Sequence, residues 1–327
     1  MKLLSLFSGI GAFEKALDNL DIEYDLVNYC EIDSYASKAY SLIHGVPESK
    51  NLGDITKVET SKLKDIDMVT YGFPCQDISI QGMQKGFEDG EERTRSGLFF
   101  EALRIIEDTK PKYAIAENVK NLVSKRFEKE FEIVLSSLEE AGYNNYWTIL
   151  NSKDFGIPQN RERVFIISIR KDIDDGKFEF PQPELLFLNV RDLMEDSAPK
   201  NCYLKDEDVR KFVSKPTSVG NCSQLGYIDR PTFHDFSNRV YSIDGIARTL
   251  MGEGGNCNDK AGQYLLDSGQ IRRLTPKECF RLMGFDDRDI DILIKNKISN
   301  TQLYKMAGNS IVVDVLEAIF EMLSEEV

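Results

Sequence analysis

Over the first 170 residues, short apolar and β-branched runs alternate with longer stretches of helical character, which restricts the chain to a few layered α/β folds. The runs expected as strands are Lys2–Phe7, Asp25–Cys30, Met68–Tyr71, Tyr113–Ala116, Tyr146–Leu150 and Arg163–Ile169. Among the stretches between them, Glu128–Ala141 is the clearest helix: Phe131, Val134, Leu135 and Leu138 share one face, and Gly142 stops it. Strands connected in this way form a mostly parallel sheet with helices on both faces. Ligands of such sheets bind at the carboxyl ends of the strands.

The texture changes after Arg170. Residues 171–270 hold Pro181, Pro183, Pro199, Pro216 and Pro231 among many Ser, Asn and Gly, as expected of a separate, loop-rich region with short strands. Regularity returns at Leu274–Met283 and at Ile311–Leu323, where Val312, Leu316, Ile319, Phe320 and Leu323 form one apolar stripe. The expected organisation is a catalytic and cofactor-binding domain of residues 1–185 and 305–327, a smaller domain of residues 186–285, and a connection at 286–304.

Composition excludes several classes. No segment reaches the roughly 18 consecutive apolar residues of a membrane span. The opening MKLLSLFSGIG is interrupted by Gly9 and Gly11 too early for a signal peptide, so a cytoplasmic protein is expected. Six cysteines form no CxxC pair, and with only His44 and His234 beside them no metal site is expected. The net charge of −14 argues against nucleic acid as a partner. Its distribution softens that objection: residues 200–285 hold 13 Lys and Arg against 10 Asp and Glu, leaving 28 against 45 elsewhere.

Five constellations carry chemistry. Phe7-Ser8-Gly9-Ile10-Gly11 lies between a strand and a helix, where glycines permit a tight turn and close approach of a ligand. Glu31, at the end of the next strand, is placed to hold ribose hydroxyls. Position 14 is glutamate where a dinucleotide fingerprint has its third glycine, which favours another adenosine-bearing cofactor over NAD; an ordinary strand–helix turn is the plain alternative. Gly72-Phe73-Pro74-Cys75-Gln76 follows a strand directly, with Pro74 restricting the backbone before the thiol. The polar stretch after it, with Ser79 and Gln81, suits an active-site loop better than a buried structural cysteine. Glu117 ends the strand Tyr113–Ala116 and can hydrogen-bond a ring nitrogen, or else cap a helix or form a salt bridge. Arg161 and Arg163, at alternate positions, can clamp a phosphate or a carbonyl, or pair with surface acids. Ala307-Gly308-Asn309-Ser310 reads as a helix amino terminus capped by Asn309 or Ser310.

Taken in order, FSGIG, Glu31, GDI at 53–55, GFPCQ, ENV, QNRER and GNS resemble the DNA cytosine-5 methyltransferase family, in particular its short bacterial and phage restriction-modification enzymes. The motifs run from residue 5 to residue 313, and GFPCQ followed by QKGFED and GLFFE is highly specific. The resemblance implies a Rossmann-like S-adenosylmethionine-dependent fold with a target-recognition domain in the proline-rich region. It implies that Phe7, Gly9 and Gly11 line the methionine portion of S-adenosylmethionine, Glu31 its ribose, and Asp54 and Ile55 its adenine, with Leu98, Asn309 and Ser310 completing the pocket. Ile32 stands where many members carry an aromatic that stacks on the adenine. The carboxyl-terminal helix is expected to fold back onto the first domain.

By the same resemblance Cys75 is the nucleophile, Glu117 stabilises the ring nitrogen, Arg163 orients the base through its carbonyl, and Arg161 makes phosphate or loop contacts. Pro74, Gln76, Ser79 and Gln81 are expected at the substrate, as are Arg248 and Thr249 of an Arg-Thr-Leu element in the recognition region. RRLTPKECFRLMGF at 272–285 matches the segment holding the two domains together. The implied substrate is double-stranded DNA, methylated by a monomer that shares its site with a cognate restriction endonuclease without a stable complex. A branch of the family that methylates transfer RNA carries Cys-Phe-Thr in its recognition region; here Cys279-Phe280-Arg281 lies in another segment. A non-catalytic DNA-binding relic is disfavoured by the presence of Cys75, Glu117, Arg161 and Arg163 together, and an NAD-dependent oxidoreductase explains only the first glycine turn.

Overall fold

The computed structural model describes residues 1–74, 97–219, 222–230, 235–252 and 262–324. The chain divides into two compact units: residues 1–150, 162–181 and 317–327 form the first, and 151–161 with 182–316 the second. The final helix is divided, its residues from Glu317 onward belonging to the first unit.

A six-stranded sheet of order β2-β1-β3-β4-β7-β5 organises the first unit. Its strands are β1 (Lys2–Leu6), β2 (Asp25–Cys30), β3 (Met68–Tyr71), β4 (Tyr113–Val119), β5 (Tyr143–Asn151) and β7 (Glu162–Arg170). The pairings β2-β1, β1-β3 and β3-β4 are parallel, and β7 runs antiparallel to β4. All four residues of β3 are buried, which is why its sequence is continuously apolar or neutral instead of alternating. Helices α1 (Ala12–Asn19), α2 (Ser34–His44), α3 (Gly97–Thr109) and α4 (Glu128–Glu140) come from the intervening stretches. Asp33 caps α2 by accepting from the Tyr35 and Ala36 amides, and Gly45, in the left-handed region, closes it. Leu4, Leu6, Val69, Tyr71, Phe99, Ile105, Val134, Leu138 and Ile166 belong to one core cluster in this unit.

Two expected strands are longer than their sequence suggests. β4 continues past Ala116 to Val119 because β7 pairs with it along its whole length, from Tyr113 opposite Ile169 to Val119 opposite Arg163. β5 begins at Tyr143, since Gly142, at φ 100, turns the chain straight out of the helix.

The second unit is more regular than its composition predicts. It contains a five-stranded sheet of order β13-β12-β10-β9-β8, from β8 (Phe212–Val219), β9 (Cys222–Ile228), β10 (Arg239–Ser242), β12 (Gln263–Leu265) and β13 (Ile271–Arg273). A separate two-stranded parallel ladder joins β6 (Gln159–Asn160) to β11 (Ala247–Arg248). Helices α5 (Pro276–Arg281), α6 (Asp287–Lys295) and α7 (Asn300–Asn309) follow, so the stretch expected as a connection is largely helical. Thr275 and Glu278 form a reciprocal capping box at α5, with Pro276 in its first turn. Glu278 also receives two hydrogen bonds from Arg272, at 2.8 and 2.7 Å, in a pair almost wholly buried.

Helix α8 (Val313–Ser324) carries the expected apolar stripe. In the first unit its Phe320 packs edge-on against Phe13 of α1, with ring centroids 6.4 Å apart. Among the described residues no helix is long and apolar enough to cross a membrane.

Candidate active site

The turn after β1 is built on left-handed backbone at alternate residues: Phe7 at φ 52, Gly9 at φ 56 and Gly11 at φ 81. Glycine is required at position 11 for a second reason, because a Cβ there would lie 2.1 Å from His44 Nε2. At Gly9 a Cβ would meet no heavy atom within 4 Å, so that side of the turn is open. Phe7 holds a conformation that costs a side-chain-bearing residue roughly 1–3 kcal/mol. Neighbouring bonds keep it there: the Ser8 amide donates to the Cys30 carbonyl (3.1 Å), and Ser8 Oγ to the Ser5 carbonyl (3.0 Å).

Glu31, at the end of the adjacent strand, is bonded directly to this turn. Its Oε2 accepts from the Gly9 amide at 2.9 Å and its Oε1 from the Asp33 amide at 2.7 Å. Burial pushes the carboxyl above its ordinary pKa, while the Asp33 and Gly9 amides oppose that shift. Ile32, the next residue, is 76% exposed. Asp54 starts a short 3₁₀ turn by accepting from the Thr56 amide, whereas Ile55 is buried in the core cluster. Leu98, in the first turn of α3, packs partly buried against the same cluster.

The strands carrying the expected catalytic residues are neighbours. β3 and β4 pair in parallel, Thr70 opposite Ile115 and Tyr71 opposite Ala116. Asn118 Nδ2 donates to the Phe73 carbonyl at 2.8 Å, fixing the chain as it leaves β3 towards Pro74, which is exposed. Cys75, Gln76, Ser79 and Gln81 lie outside the described residues. Because β4 extends to Val119, Glu117 lies within the strand and caps no helix. Its Oε1 is 3.0 Å from Arg163 Nε on β7, both side chains being mostly buried. A Cβ at Gly72, three residues before Cys75, would lie 3.7 Å from Glu117 Oε2. Arg163 therefore pairs with the candidate catalytic acid and not with one of the many surface carboxylates.

The two arginines do not act alike. Arg161 falls between β6 and β7, belongs to the second unit and is 3% exposed. Its guanidinium donates to the carbonyls of Leu250 (3.0 Å), Gly308 (3.2 Å) and Ser310 (2.6 Å). Thr249 is likewise bonded internally, its Oγ1 donating to the Asn160 carbonyl at 2.6 Å, and Arg248, half-buried, lies in β11 beside it.

Asn309 and Ser310 correct the sequence reading: they end helix α7 and do not begin the next one. The Ser310 amide donates to the Met306 and Ala307 carbonyls, and α8 starts only at Val313. Two glycines allow main chains to touch here. A Cβ at Gly252 would lie 1.7 Å from Asn309 Oδ1, and one at Gly308 2.3 Å from the Met251 carbonyl carbon.

Two further polar residues organise these sites. Gln159, fully buried, donates to the Leu282 carbonyl (2.8 Å) and accepts from the Leu250 amide (3.0 Å); its place within QNRER was the available signal. Asn51, which bonds to Glu31 and Gly53, carried no sequence signal beyond proximity to GDI.

A family model described as C-5 cytosine-specific DNA methylase matches residues 1–325. The orphan methyltransferase M.SPBetaI of Bacillus phage SPbeta is 31% identical, over 99% of this chain and 97% of its own. The type II methyltransferase M.HhaI of Haemophilus parahaemolyticus is 36% identical, over 98% and 93%. Among solved structures, the S. pombe Dnmt2 methyltransferase shares the fold, with a TM-score of 0.74 at 22% identity over 99% of this chain and 98% of that one. Together with the paired Glu117 and Arg163 and the glycine turn bonded to Glu31, these matches show that the chain belongs to the C-5 cytosine-specific DNA methylase family and is a DNA (cytosine-5) methyltransferase.

Proposed function

We propose that the protein methylates cytosine within a short sequence of double-stranded DNA, with Cys75 as nucleophile, Glu117 and Arg163 holding the base, and S-adenosylmethionine as methyl donor. The observation that carries this reading is the mostly buried pair of Glu117, on the strand next to the one that leads to Cys75, with Arg163 on the following strand β7. Cytosine's ring nitrogen 3 and its carbonyl both accept hydrogen bonds, and a protonated carboxyl beside a guanidinium supplies the two donors they demand.

The residues of the first unit fit an adenosine-bearing cofactor. A carboxylate at a strand end suits a ribose diol, the open side of Gly9 admits close approach to main chain, and exposed Ile32 offers an apolar surface to a purine. Phe7, Gly9, Gly11, Glu31, Ile32, Asp54 and Leu98 are the residues of this unit assigned to hold it. When bound, S-adenosylmethionine supplies an electrophilic methyl group.

Carbon 5 of cytosine is a weak nucleophile, and within the stacked duplex it is out of reach. Extruding the base costs a few kcal/mol, offset by contacts in the pocket and along the duplex. The Cys75 thiolate forms a bond to carbon 6, and the displaced electron pair makes carbon 5 enamine-like while Glu117 donates a proton to ring nitrogen 3. Arg163 holds the carboxyl of Glu117 and the base's carbonyl in register. With the donor bound, carbon 5 would take the methyl group while the methyl–sulfur bond breaks and its electron pair stays on the departing thioether sulfur. Loss of its proton to a base restores the double bond, the carbon–sulfur bond breaks, and Glu117 recovers its proton.

The recognition residues are sought in the second unit, around Arg248 and Thr249, where side chains read base edges. Double-stranded DNA is the proposed partner, bound by a monomer, and a restriction endonuclease of the same specificity is the proposed functional counterpart.

The test is covalent trapping on duplex DNA carrying 5-fluorocytosine, whose fluorine cannot leave as a proton does. The reading predicts a denaturation-resistant protein–DNA adduct that needs S-adenosylmethionine and disappears in Cys75→Ser. An adduct that persists in Cys75→Ser would remove Cys75 from its role, and adducts formed only on RNA would move the substrate class.

A further inference from the structure

Asn51 lies between the two elements assigned to the nucleoside, and its amide is fully used in joining them. Its Oδ1 accepts from the Glu31 amide (3.0 Å) and the Gly53 amide (2.9 Å). Its Nδ2 donates to the Glu31 carbonyl (2.9 Å) and to Ser37 Oγ (2.9 Å). Two acceptor sites and two donor hydrogens are all that a primary amide possesses, and each has a partner. Glu31 is thus gripped at both main-chain polar groups, and the same oxygen holds the start of the Gly53-Asp54 turn.

A second tie converges on that turn. Cys30 Sγ donates to the Gly53 carbonyl at 3.0 Å. Burial, with the nearby Glu31 and Asp54 charges, pushes this thiol up to about 12, so it remains a protonated donor. Gly53 adopts φ 70, a left-handed conformation that lets its amide and carbonyl serve both ties. Ser37 is itself buried and bonded to the Tyr29 hydroxyl at 3.1 Å, which anchors the amide to α2 and β2.

We propose that Asn51 is a positioning residue of the cofactor site, setting the Glu31 carboxylate and the Asp54 turn at the separation that a bound adenosine requires. The inference rests on the assignment of S-adenosylmethionine to this site. Its physical basis is that binding groups must be held within about 0.5 Å of productive geometry by neighbours whose own positions are locked. An amide with four satisfied bonds meets that condition, and no other residue type of its size offers two donors and two acceptors from one planar group.

The test is calorimetric titration of the full chain, without DNA, with S-adenosylmethionine and with S-adenosylhomocysteine, for wild type, Asn51→Ala, Asn51→Asp and Ser37→Ala. DNA affinity, KM and kcat are measured in parallel. Asn51→Ala is expected to raise Kd for both ligands about tenfold or more, the worth of one or two net hydrogen bonds. Asn51→Asp keeps the accepted bonds but turns an oxygen towards the Glu31 carbonyl, and is expected to lose as much. Ser37→Ala, which removes one bond of four, should raise Kd by roughly two- to threefold. KM for the cofactor should rise with kcat and DNA affinity held.

Cofactor affinity within twofold of wild type in a folded Asn51→Ala would overturn the proposal. Parallel loss of DNA affinity, thermal stability and kcat would reduce Asn51 to a structural residue and overturn it equally. Should Asn51→Ala not fold, an unchanged Kd in Ser37→Ala is the contradicting result. A wild-type protein that binds neither ligand would instead remove the cofactor assignment itself.

Discussion

Arg163 and Glu117 are diagonal neighbours on the antiparallel strands β7 and β4, Arg163 standing opposite Val119 and Glu117 opposite Phe165, with Nε 3.0 Å from Oε1. Diagonal partners on one sheet face are within reach of long side chains. The strand pairing itself therefore presets the geometry of the two groups assigned to the base.

That relationship separates charge from shape. Arg163→Lys keeps the positive charge but loses the planar fork, and is expected to lower kcat about 100-fold. Glu117→Gln should lower it by roughly 10²–10⁴-fold, the usual worth of a positioned acid. Because the two act as a unit, the double variant should be little worse than Glu117→Gln alone. Single-turnover methylation of duplex DNA measures all three, and multiplicative losses would show that the residues work independently.

Much of this geometry was legible in the chain. The runs Asp25–Cys30 and Met68–Tyr71 are observed at their expected bounds, and the second is buried along its whole length. The glycine turn and Glu31 were legible as separate motifs, yet their mutual bond was not, since it needs β1 and β2 side by side. Glu117 was misplaced at a strand end because pairing with β7, 46 residues away at Arg163, is invisible locally. The sheet of the second unit was hidden by proline and glycine, and α7 by a polar start that reads as loop. Asn309 and Ser310 were placed at a helix start for the same reason: the sequence shows a boundary without its direction.

Arg161 belongs to the stability of the second unit. Its guanidinium donates to three carbonyls from two segments, and Arg161→Met would leave those acceptors without a donor. The expected loss is roughly 2–4 kcal/mol. Urea unfolding followed by fluorescence checks it; an unchanged midpoint would contradict the clamp.

His44 supplies a pH dependence. It is 3% exposed at the side chain; Nε2 is 3.1 Å from the Ile10 carbonyl within the glycine turn, and Nδ1 is 3.5 Å from Asp18 Oδ2. Burial opposes its protonation, but Asp18, Glu14 and the Ile10 carbonyl outweigh it and raise the pKa above the ordinary 6.5. A group whose folded pKa is raised contributes stability that is complete below its unfolded value and lost as pH rises through the folded one. Thermal stability is therefore expected to fall as pH rises above about 6.5, with cofactor affinity following because the turn is involved. His44→Phe should flatten that dependence, and an unchanged pH profile in the variant would assign it to other groups.

The most direct test of the whole account is incubation of the purified protein with S-adenosylmethionine and mixed-sequence DNA, followed by base-resolution mapping of 5-methylcytosine. The account predicts methylation at one short motif, abolished in Cys75→Ser. DNA left unmodified by a protein that binds the cofactor would contradict it.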